Sequence, residues 1–216
     1  AEAMCHLTGV TSRMGKVEDG NSISDYTKEE QKRGFSIKTS LIPVEWKNCK
    51  INILDTPGYF DFVGEVEEAV SAADAAVIVV SGKAGVEVGT EKAWELCDKY
   101  KLPRMVYVNK MDILGANFFR VVGMIKDRLK ANAVPIQLPI GAEDSFVGII
   151  DLVEMKAEIY KDDLGKEFVE TEIPEDMADL AAEWRENLLE SVCSADEELM
   201  MMYLEGEEPS NEELKA

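Results

Sequence analysis

Apolar and polar positions alternate in the first third of the chain in a way that is typical of paired strands. Apolar residues recur at every second position at Phe35 and Ile37, and again at Ile51 and Ile53. The polar pair Lys47-Asn48 separates the two runs. A period of two that is interrupted by turn-forming residues predicts a β-hairpin with one strand on each side of this pair.

Downstream of the hairpin, short apolar runs alternate with longer segments in which apolar residues recur every three or four positions. This alternation predicts a mostly parallel sheet with helices on both faces and the hairpin as an antiparallel edge. The fold class is therefore α/β. The predicted helices are 60–73, 118–130 and one that Thr90 caps and that runs to Tyr100, and the predicted strands are 75–80, 105–108 and 135–138.

The pattern changes beyond Asp144. We therefore predict that residues 1–144 form an α/β core and that residues 145–216 form a smaller α+β subdomain. The elements expected in that subdomain are extended segments at 146–160 and 168–173, a helix from Pro174, and two helices whose capping boxes are Ser194 with Glu197 and Ser210 with Glu213.

Negative charge is concentrated in the predicted subdomain. The formal net charge is −20, and residues 151–216 alone carry 22 acidic and 5 basic side chains, which gives −17. Such a surface repels phosphate backbones and favours a basic protein surface, so we expect no direct nucleic-acid binding by this segment. A solvated acidic face that only keeps the protein soluble is the alternative.

The cysteines and the single histidine limit the kinds of site that the chain can build. No two cysteines have C-x-x-C spacing, which argues against a zinc site or a small disulfide framework and favours reduced thiols in the cytoplasm. His6 is the only histidine, so a site built on several histidines is excluded. The cysteines are Cys5, Cys49, Cys97 and Cys193.

Neither a membrane span nor a targeting signal is expected. The longest apolar stretch, Ala72–Val80, is interrupted by Asp74 and is much shorter than the roughly 20 residues that a bilayer requires. Ala1 is not an initiator methionine, and no basic or signal-like segment follows it. We therefore expect that residues upstream of Ala1 are missing from this sequence.

The tetrapeptide Asp55-Thr56-Pro57-Gly58 lies where an apolar strand gives way to a helix. Ligands of open α/β sheets bind at the carboxyl ends of strands. An aspartate there can hold Mg²⁺ through water, and a glycine lets its backbone N–H approach a terminal phosphate without a side chain in the way. The alternative is an Asx turn before a helix, which the same tetrapeptide can form.

A second motif, Asn109-Lys110-Met111-Asp112, follows another apolar strand. Guanine presents a ring N–H beside an exocyclic amine, and the Asp112 carboxylate can accept a hydrogen bond from both. Asn109 can contact the carbonyl side of the base, and the stem of Lys110 can cover its face. One such match is weak evidence, but two motifs in this order, each at the end of a parallel strand, predict a GTP-binding site.

A third segment, Arg33-Gly34-Phe35-Ser36-Ile37, precedes the hairpin. The hydroxyl of Ser36 could reach Mg²⁺, in a polar segment that could become ordered when a γ-phosphate is present. Without the other two motifs, this segment would be only the start of a strand.

Together these segments resemble successive landmarks of translation elongation factor G, and the resemblance extends over nearly the whole chain. Residues 135–143, followed by 148–155, resemble the entry into the insertion of that family's GTPase domain, which separates it from other translational GTPases. Further landmarks are Ala1-Glu2-Ala3-Met4, Asp25-Tyr26 with Glu29-Glu30, Arg33-Gly34, and Glu65-Val66-Glu67.

The resemblance implies a P-loop GTPase-like fold that binds GTP or GDP with Mg²⁺, docks on the ribosome and drives translocation of mRNA and tRNA. It also implies that the acidic subdomain is available to the ribosomal stalk proteins. Mg²⁺ would be held by Ser36 and, through water, by Asp55. The GTP-binding residues implied are Asp55, Thr56, Pro57, Gly58, Tyr59, Asn109, Lys110, Met111 and Asp112.

Two parts of the family pattern are absent from the 216 residues. The glycine-rich phosphate loop, which ends in lysine and threonine, would lie immediately before Ala1, and the last guanine-contacting segment would lie after Ala216. We therefore expect these residues alone to be inactive. The strand before the loop is central to the family's sheet, so we also expect an apolar groove or an edge that recruits another chain.

Tyr59 and Ser36 differ from the family pattern within the chain itself. Tyr59 occupies the position of a histidine that orients the attacking water, and a phenol is a poor base at neutral pH, so hydrolysis is expected to be slower or triggered differently. Ser36 replaces a threonine but keeps the hydroxyl. Tyr59 favours an elongation-factor-G-like paralogue over the housekeeping factor.

Two alternative functions stay open at this point. One is a module that docks on the ribosome without turning over GTP. The other is a related GTPase that recycles ribosomes or protects them from antibiotics.

Overall fold

The computed structural model describes residues 1–162, 165 and 167–215. Within these residues the strands are β1 (Ser40–Trp46), β2 (Cys49–Asp55), β3 (Ala76–Ser81), β4 (Arg104–Asn109), β5 (Gln137–Ile140), β6 (Gly148–Asp151), β7 (Lys156–Tyr160) and β8 (Phe168–Thr171). The α-helices are α1 (Glu2–Leu7), α2 (Lys28–Arg33), α3 (Val63–Ala72), α4 (Val88–Tyr100), α5 (Phe118–Leu129), α6 (Ala178–Cys193), α7 (Glu197–Leu204) and α8 (Asn211–Lys215).

The predicted hairpin is present as β1 and β2, which pair antiparallel. Lys47 and Asn48 form its two-residue turn with φ of 47° and 64°, and two positive φ angles suit the twist of a tight hairpin. The first strand begins at Ser40, so its predicted start near Phe35 is wrong. The reason is local, because the buried Glu30 carboxylate accepts the Ile37 and Lys38 amides, at 3.0 and 3.1 Å, that a strand partner would otherwise use.

β3 and β4 are neighbours in a second sheet. The amide of Ala76 donates to the carbonyl of Pro103 at 2.9 Å, and the amide of Gly82 donates to the carbonyl of Asn109 at 2.7 Å. The donor and the acceptor are the same number of residues apart in both bonds, as is required when two strands run parallel. Together with the antiparallel hairpin, this pair confirms the predicted mixed α/β fold class.

The structure corrects one predicted helix start. The N-cap of α4 is Glu87, not Thr90, which lies one turn inside the helix. The Thr90 hydroxyl oxygen accepts a hydrogen bond from the Glu87 amide at 3.2 Å. Thr90 therefore lies in the first turn of the helix and bonds back to the N-cap residue, and it is not the N-cap itself.

A four-stranded antiparallel sheet, in the order β5-β6-β7-β8, follows α5. β5 differs from its predicted place in the parallel sheet, because it pairs antiparallel with β6 from Gln137 opposite Asp151 to Ile140 opposite Gly148. One face of the sheet packs against α6 and forms a core of fully or almost fully buried side chains. These are Leu138, Ile140, Ile150, Leu152 and Ala157 from the sheet segment and Ala181 and Leu188 from α6.

Two capping predictions in the acidic region have different outcomes. Ser210 and Glu213 form the predicted box before α8, with the Ser210 hydroxyl and amide each donating to Glu213 Oε2 at 2.7 Å. Ser194 instead ends α6 by donating to the carbonyl of Glu190 at 2.6 Å, so its predicted box is wrong. Asp196 takes that role and accepts the first free amides of α7.

The chain divides into two compact units. The first consists of Ala1–Val79 and Glu87–Tyr107, and the second of Val80–Val86 and Val108–Ala216. The predicted division near residue 144 rests on the change in the pattern of apolar residues along the sequence, and it stays a prediction. Among the described residues, no helix combines the length and the apolar character that crossing a membrane would need.

Candidate functional site

The first predicted motif occupies the carboxyl end of β2 in the first unit. Asp55 is the last residue of the strand, pairs with Ser40 of β1, and is half-buried. Thr56 is half-buried and Pro57 is buried, whereas Gly58 is exposed. No heavy atom lies within 4 Å of the position that a Cβ on Gly58 would occupy. The backbone of Gly58 is therefore open to the approach of a ligand.

The segment that contains Ser36 is held by two buried carboxylates. The Ser36 hydroxyl donates to Asp25 Oδ1 at 2.6 Å, and Asp25 is only 5% exposed. Glu30 is fully buried and accepts hydrogen bonds from the Thr27 hydroxyl and amide at 2.6 and 3.0 Å, besides the two amides of the segment. Burial by itself raises the pKa of the Glu30 carboxyl, but the four hydrogen bonds outweigh it and lower the pKa to about 2.

The structure brings the Ser36 segment and the Asp55–Tyr59 segment together. The rings of Phe35 and Tyr59 pack with centroids 4.5 Å apart. Further along, the Thr39 amide donates to Glu65 Oε2 at 2.8 Å, and the Thr39 hydroxyl donates to the carbonyl of Glu65 at 3.1 Å. The contacts of Tyr59 and Glu65 with this segment were not predicted from the sequence, since a pattern along the chain carries no signal of pairing across 24 to 26 residues.

Ser36 and Asp55 each carry a side-chain oxygen of the kind that Mg²⁺ takes as a ligand in phosphate sites. The Ser36 hydroxyl uses its proton on Asp25, so its oxygen keeps lone pairs for a cation. Mg²⁺ in phosphate sites takes one or two protein oxygens and completes its shell with phosphates and water. In the part of the chain that the structure describes, no group of three or more His, Cys, Asp or Glu side chains could hold a metal by itself.

The second predicted motif lies at the carboxyl end of β4, in the second unit. Asn109 ends the strand, and its side-chain oxygen accepts the Lys110 amide at 2.8 Å. Lys110 has a φ of 59°, which turns the chain sharply after the strand. The Met111 side chain is buried and anchors the segment, whereas Asp112 is exposed and available to a base.

The turn after β3 supports this motif from one side. Gly82 is buried and donates its amide to the carbonyl of Asn109 at 2.7 Å. A Cβ on Gly82 would lie 2.8 Å from Met111 Sδ, so only glycine fits here without displacing its neighbours. Arg120 of α5 donates to the carbonyl of Gly82 at 3.1 Å and also to that of Lys83. The turn is thus fixed against the motif.

The turn after β5 supports the motif from the other side. The amide of Glu143 donates to the carbonyl of Met111 at 2.8 Å, and the Glu143 carboxylate accepts the amide of Gly115 at 2.6 Å. Glu143 has a φ of 55°, which is uncommon for a residue other than glycine. The sequence assigned no role to Glu143, because its partners lie 28 and 32 positions earlier.

The predicted site residues therefore fall into two groups. The first unit contains Ser36, Asp55, Thr56, Pro57, Gly58 and Tyr59, and the second contains Asn109, Lys110, Met111 and Asp112. The boundary between the units crosses β4 after Tyr107. Within each group the structure places the residues close together, on one segment or on two segments in contact.

One face of the β3–β4 sheet in the first unit is apolar and exposed. Successive outward positions on β3 are Val77 and Val79, which are 58% and 61% exposed, and those on β4 are Met105 and Tyr107, which are 53% and 56% exposed. Monomeric proteins rarely leave contiguous apolar side chains uncovered without a partner for them. The groove or edge expected from a missing strand stays a prediction.

Two similarities to known proteins accompany this geometry. The family model described as the elongation factor Tu GTP binding domain matches residues 1–204. A crystal structure of a protein from Thermus thermophilus matches with a TM-score of 0.90 at 38% sequence identity, over 99% of this chain and 32% of that protein. The 216 residues thus span about a third of the length of the Thermus protein.

Proposed function

The chain belongs to the elongation factor Tu GTP-binding domain family, and from that membership we propose that it is the GTP-binding region of an elongation-factor-G-like translational GTPase. The proposed role of the whole protein is to couple GTP binding and hydrolysis to the movement of mRNA and tRNA through the ribosome. The observation that carries the proposal is the guanine motif, Asn109–Asp112, supported from two sides at the end of a parallel strand.

Guanine selection is assigned to the second group of residues. The exposed Asp112 carboxylate accepts hydrogen bonds from the ring N–H and the exocyclic amine, which adenine cannot supply in that arrangement. Asn109 contacts the carbonyl side of the base, and the stem of Lys110 covers the ring. Met111 is assigned no contact with the base, since its buried side chain anchors the segment.

Sensing of the γ-phosphate is assigned to the first group. Gly58 offers its backbone N–H, and the open space around it admits a phosphate. Asp55, through water, and Ser36 would hold Mg²⁺, which neutralises charge on the phosphates when it is bound. Thr56 and Pro57 carry the chain from Asp55 to Gly58.

Tyr59 is proposed to take the position of the family's residue that orients the attacking water. A phenol is a weak base at neutral pH, so we propose slow hydrolysis until the ribosome rearranges this segment. The packing of the Tyr59 ring on Phe35 supports this proposal, because it occupies the ring in a contact that does not involve water.

The remaining phosphate contacts are proposed to come from a glycine-rich loop outside these 216 residues, so that the 216 residues alone do not hydrolyse GTP. The exposed apolar side chains of β3 and β4 support this, because they offer a surface that a further strand and helix could cover. The sequence itself contains no G-x-x-x-x-G-K-[ST] segment.

Binding to the ribosome is proposed from the family and from the negative charge of the acidic segment. We propose a cytoplasmic protein whose acidic segment, 151–216, meets basic surfaces such as those of the stalk proteins. The open Gly58 and the exposed Asp112 favour nucleotide binding over a docking module without GTP turnover. The residues of this domain do not distinguish translocation from ribosome recycling or protection from antibiotics.

The test uses the full-length protein with ribosomes. GTP hydrolysis is measured with and without ribosomes, and movement of mRNA is followed by the position at which reverse transcriptase stops. Ribosome-stimulated hydrolysis with movement by one codon supports the proposal. Hydrolysis accompanied by subunit splitting or by antibiotic release would replace translocation with one of the related roles, and ribosome binding without hydrolysis would leave a docking module.

A further inference from the structure

We propose that Glu143 is a positioning residue for guanine recognition, through which the turn between β5 and β6 sets both the affinity and the base selectivity of the Asn109–Asp112 segment. This inference rests on the proposed function and deepens it. It concerns a residue that does not touch the base and lies outside the motif that does.

Glu143 contacts the guanine motif at two points that bracket Asp112. Its backbone amide holds the carbonyl of Met111, the residue before Asp112, at 2.8 Å. Its carboxylate holds the amide of Gly115, three residues after Asp112, at 2.6 Å. A hydrogen bond to a charged acceptor is stronger than a neutral one, so the second contact fixes the chain beyond Asp112 firmly.

The backbone of the β5–β6 turn is shaped for these contacts. Glu143 has a φ of 55°, an unfavourable conformation for a side chain with a Cβ, and such outliers persist where the surroundings require them. Gly141 has a φ of 78°, and a Cβ there would lie 2.0 Å from the carbonyl oxygen of Ser145. The Ser145 hydroxyl closes the turn by donating to the carbonyl of Ala142 at 2.7 Å.

The remaining support of the motif does not reach Asp112. The turn after β3 holds Asn109 through the Gly82 amide, at the strand end of the motif. The segment from Met111 to Gly115 carries the carboxylate that distinguishes guanine, and Glu143 is the residue that ties both ends of this segment. Loss of the carboxylate releases the Gly115 end of this segment, so Asp112 is held only on its Met111 side, while Asn109 stays in place.

The chemical consequence concerns the exocyclic amine of guanine. Asp112 accepts two hydrogen bonds from guanine but only one from hypoxanthine, which lacks that amine. A displaced Asp112 weakens the guanine complex more than the hypoxanthine complex. Misplacement of Asp112 is thus visible as a smaller preference for GDP over IDP, which a general loss of stability would not produce.

The experiment uses the full-length protein and measures dissociation constants for GDP and IDP by calorimetry. Four variants are compared with the unmodified protein. Glu143→Ala removes the acceptor, Glu143→Asp keeps the charge but shortens the reach, Glu143→Gln keeps an oxygen that can accept the Gly115 amide, and Asp144→Ala removes the neighbouring exposed carboxylate as a matched control.

We expect Glu143→Ala and Glu143→Asp to weaken GDP binding by about tenfold and IDP binding by about threefold or less. Glu143→Gln is expected to stay within about twofold of the unmodified protein, because an amide oxygen is a weaker but sufficient acceptor. Asp144→Ala is expected to change neither constant. Hydrogen exchange of the Gly115 amide should accelerate in the Ala and Asp variants only.

Three results would overturn the inference. If Glu143→Ala and Glu143→Asp leave GDP binding and Gly115 exchange unchanged while the unmodified protein prefers GDP, then Glu143 has no positioning role and the proposed function stands. Equal weakening of GDP and IDP without rescue by Glu143→Gln would reduce Glu143 to a structural residue. Absence of any guanine preference in the unmodified protein would remove the proposed function together with the inference.

Discussion

The two segments that are proposed to bind the nucleotide both follow a strand, but the surrounding protein supports them very differently. A Cβ added to Gly58, in the phosphate segment, would have no heavy atom within 4 Å, whereas one added to Gly82, against the guanine segment, would lie 2.8 Å from Met111 Sδ. The guanine segment also receives backbone hydrogen bonds from turns on both sides. One segment is open and the other is enclosed.

This difference matches the tasks that the two segments are proposed to perform. A base-selecting segment must present Asp112 in one position, because selectivity depends on the geometry of its hydrogen bonds. A segment that senses the γ-phosphate must rearrange when GTP becomes GDP, so firm support would oppose its function. The openness around Gly58 is thus useful rather than a defect of packing.

The Ser36 segment, unlike the surroundings of Gly58, is held firmly by hydrogen bonds to buried carboxylates. Glu30→Gln removes part of this support and has the largest expected effect on stability. Replacement places amide hydrogens against the donors of Thr27, Ile37 and Lys38, so we expect the free energy of unfolding at pH 7 to fall by about 3 kcal/mol. Urea unfolding monitored by tryptophan fluorescence measures it.

The same variant should alter the response to acid. The Glu30 pKa lies at about 2 in the folded protein against an ordinary value of 4.5, so the unfolded chain binds the proton first. The stabilisation is complete above about pH 4.5 and is lost as the pH falls towards 2. The two proteins should therefore converge in stability over this interval. A constant difference down to pH 2 would show that Glu30 is not the group that titrates.

Gly82→Ala and Gly58→Ala form a matched pair that addresses the contrast between the two loops directly. The new methyl group at Gly82 forces the end of the buried Met111 side chain to move, so we expect the free energy of unfolding to fall by about 1–2 kcal/mol. The same change at Gly58 meets open space and should alter stability by less than about 0.5 kcal/mol. Thermal unfolding of both variants compares them. Equal losses would mean that the loops are equally enclosed.

Tyr59→Ala has a smaller expected effect on stability than Glu30→Gln. Its ring packs on Phe35 but is 56% exposed, so removal should cost about 1 kcal/mol. Tyr59→Phe keeps the ring and should cost almost nothing, which makes it the control. If Tyr59→Phe destabilised the protein as much as Tyr59→Ala, the hydroxyl would be the stabilising group and the ring contact would not matter.

Patterns along the chain predicted the hairpin, the order of strands and helices from β3 to α5, and both motifs at strand ends. These features depend on neighbours in sequence, and the Ser210–Glu213 box is of the same kind. The predicted strand start at Phe35 was wrong because a distant side chain, Glu30, took the amides that a strand needs. Apolar alternation cannot reveal such competition.

The support of the guanine segment could not be predicted for a similar reason. Glu143 was visible only as part of a stretch that resembles the family, and nothing near it in sequence indicates that it contacts Met111 and Gly115. The residues next to Gly82 in sequence do not distinguish it from other glycines of the chain. Its role depends on the buried position of Met111, which only the folded chain defines.

Guanine selection is the central claim, and calorimetry in the presence of Mg²⁺ tests it most directly. GTP, GDP and ATP are titrated into the 216 residues and into a longer form, the full-length protein. We expect the longer form to bind GTP and GDP but not ATP, and the 216 residues to bind none of them tightly. A folded longer form that binds neither guanine nucleotide, or that binds ATP equally well, would contradict guanine selection by Asn109–Asp112.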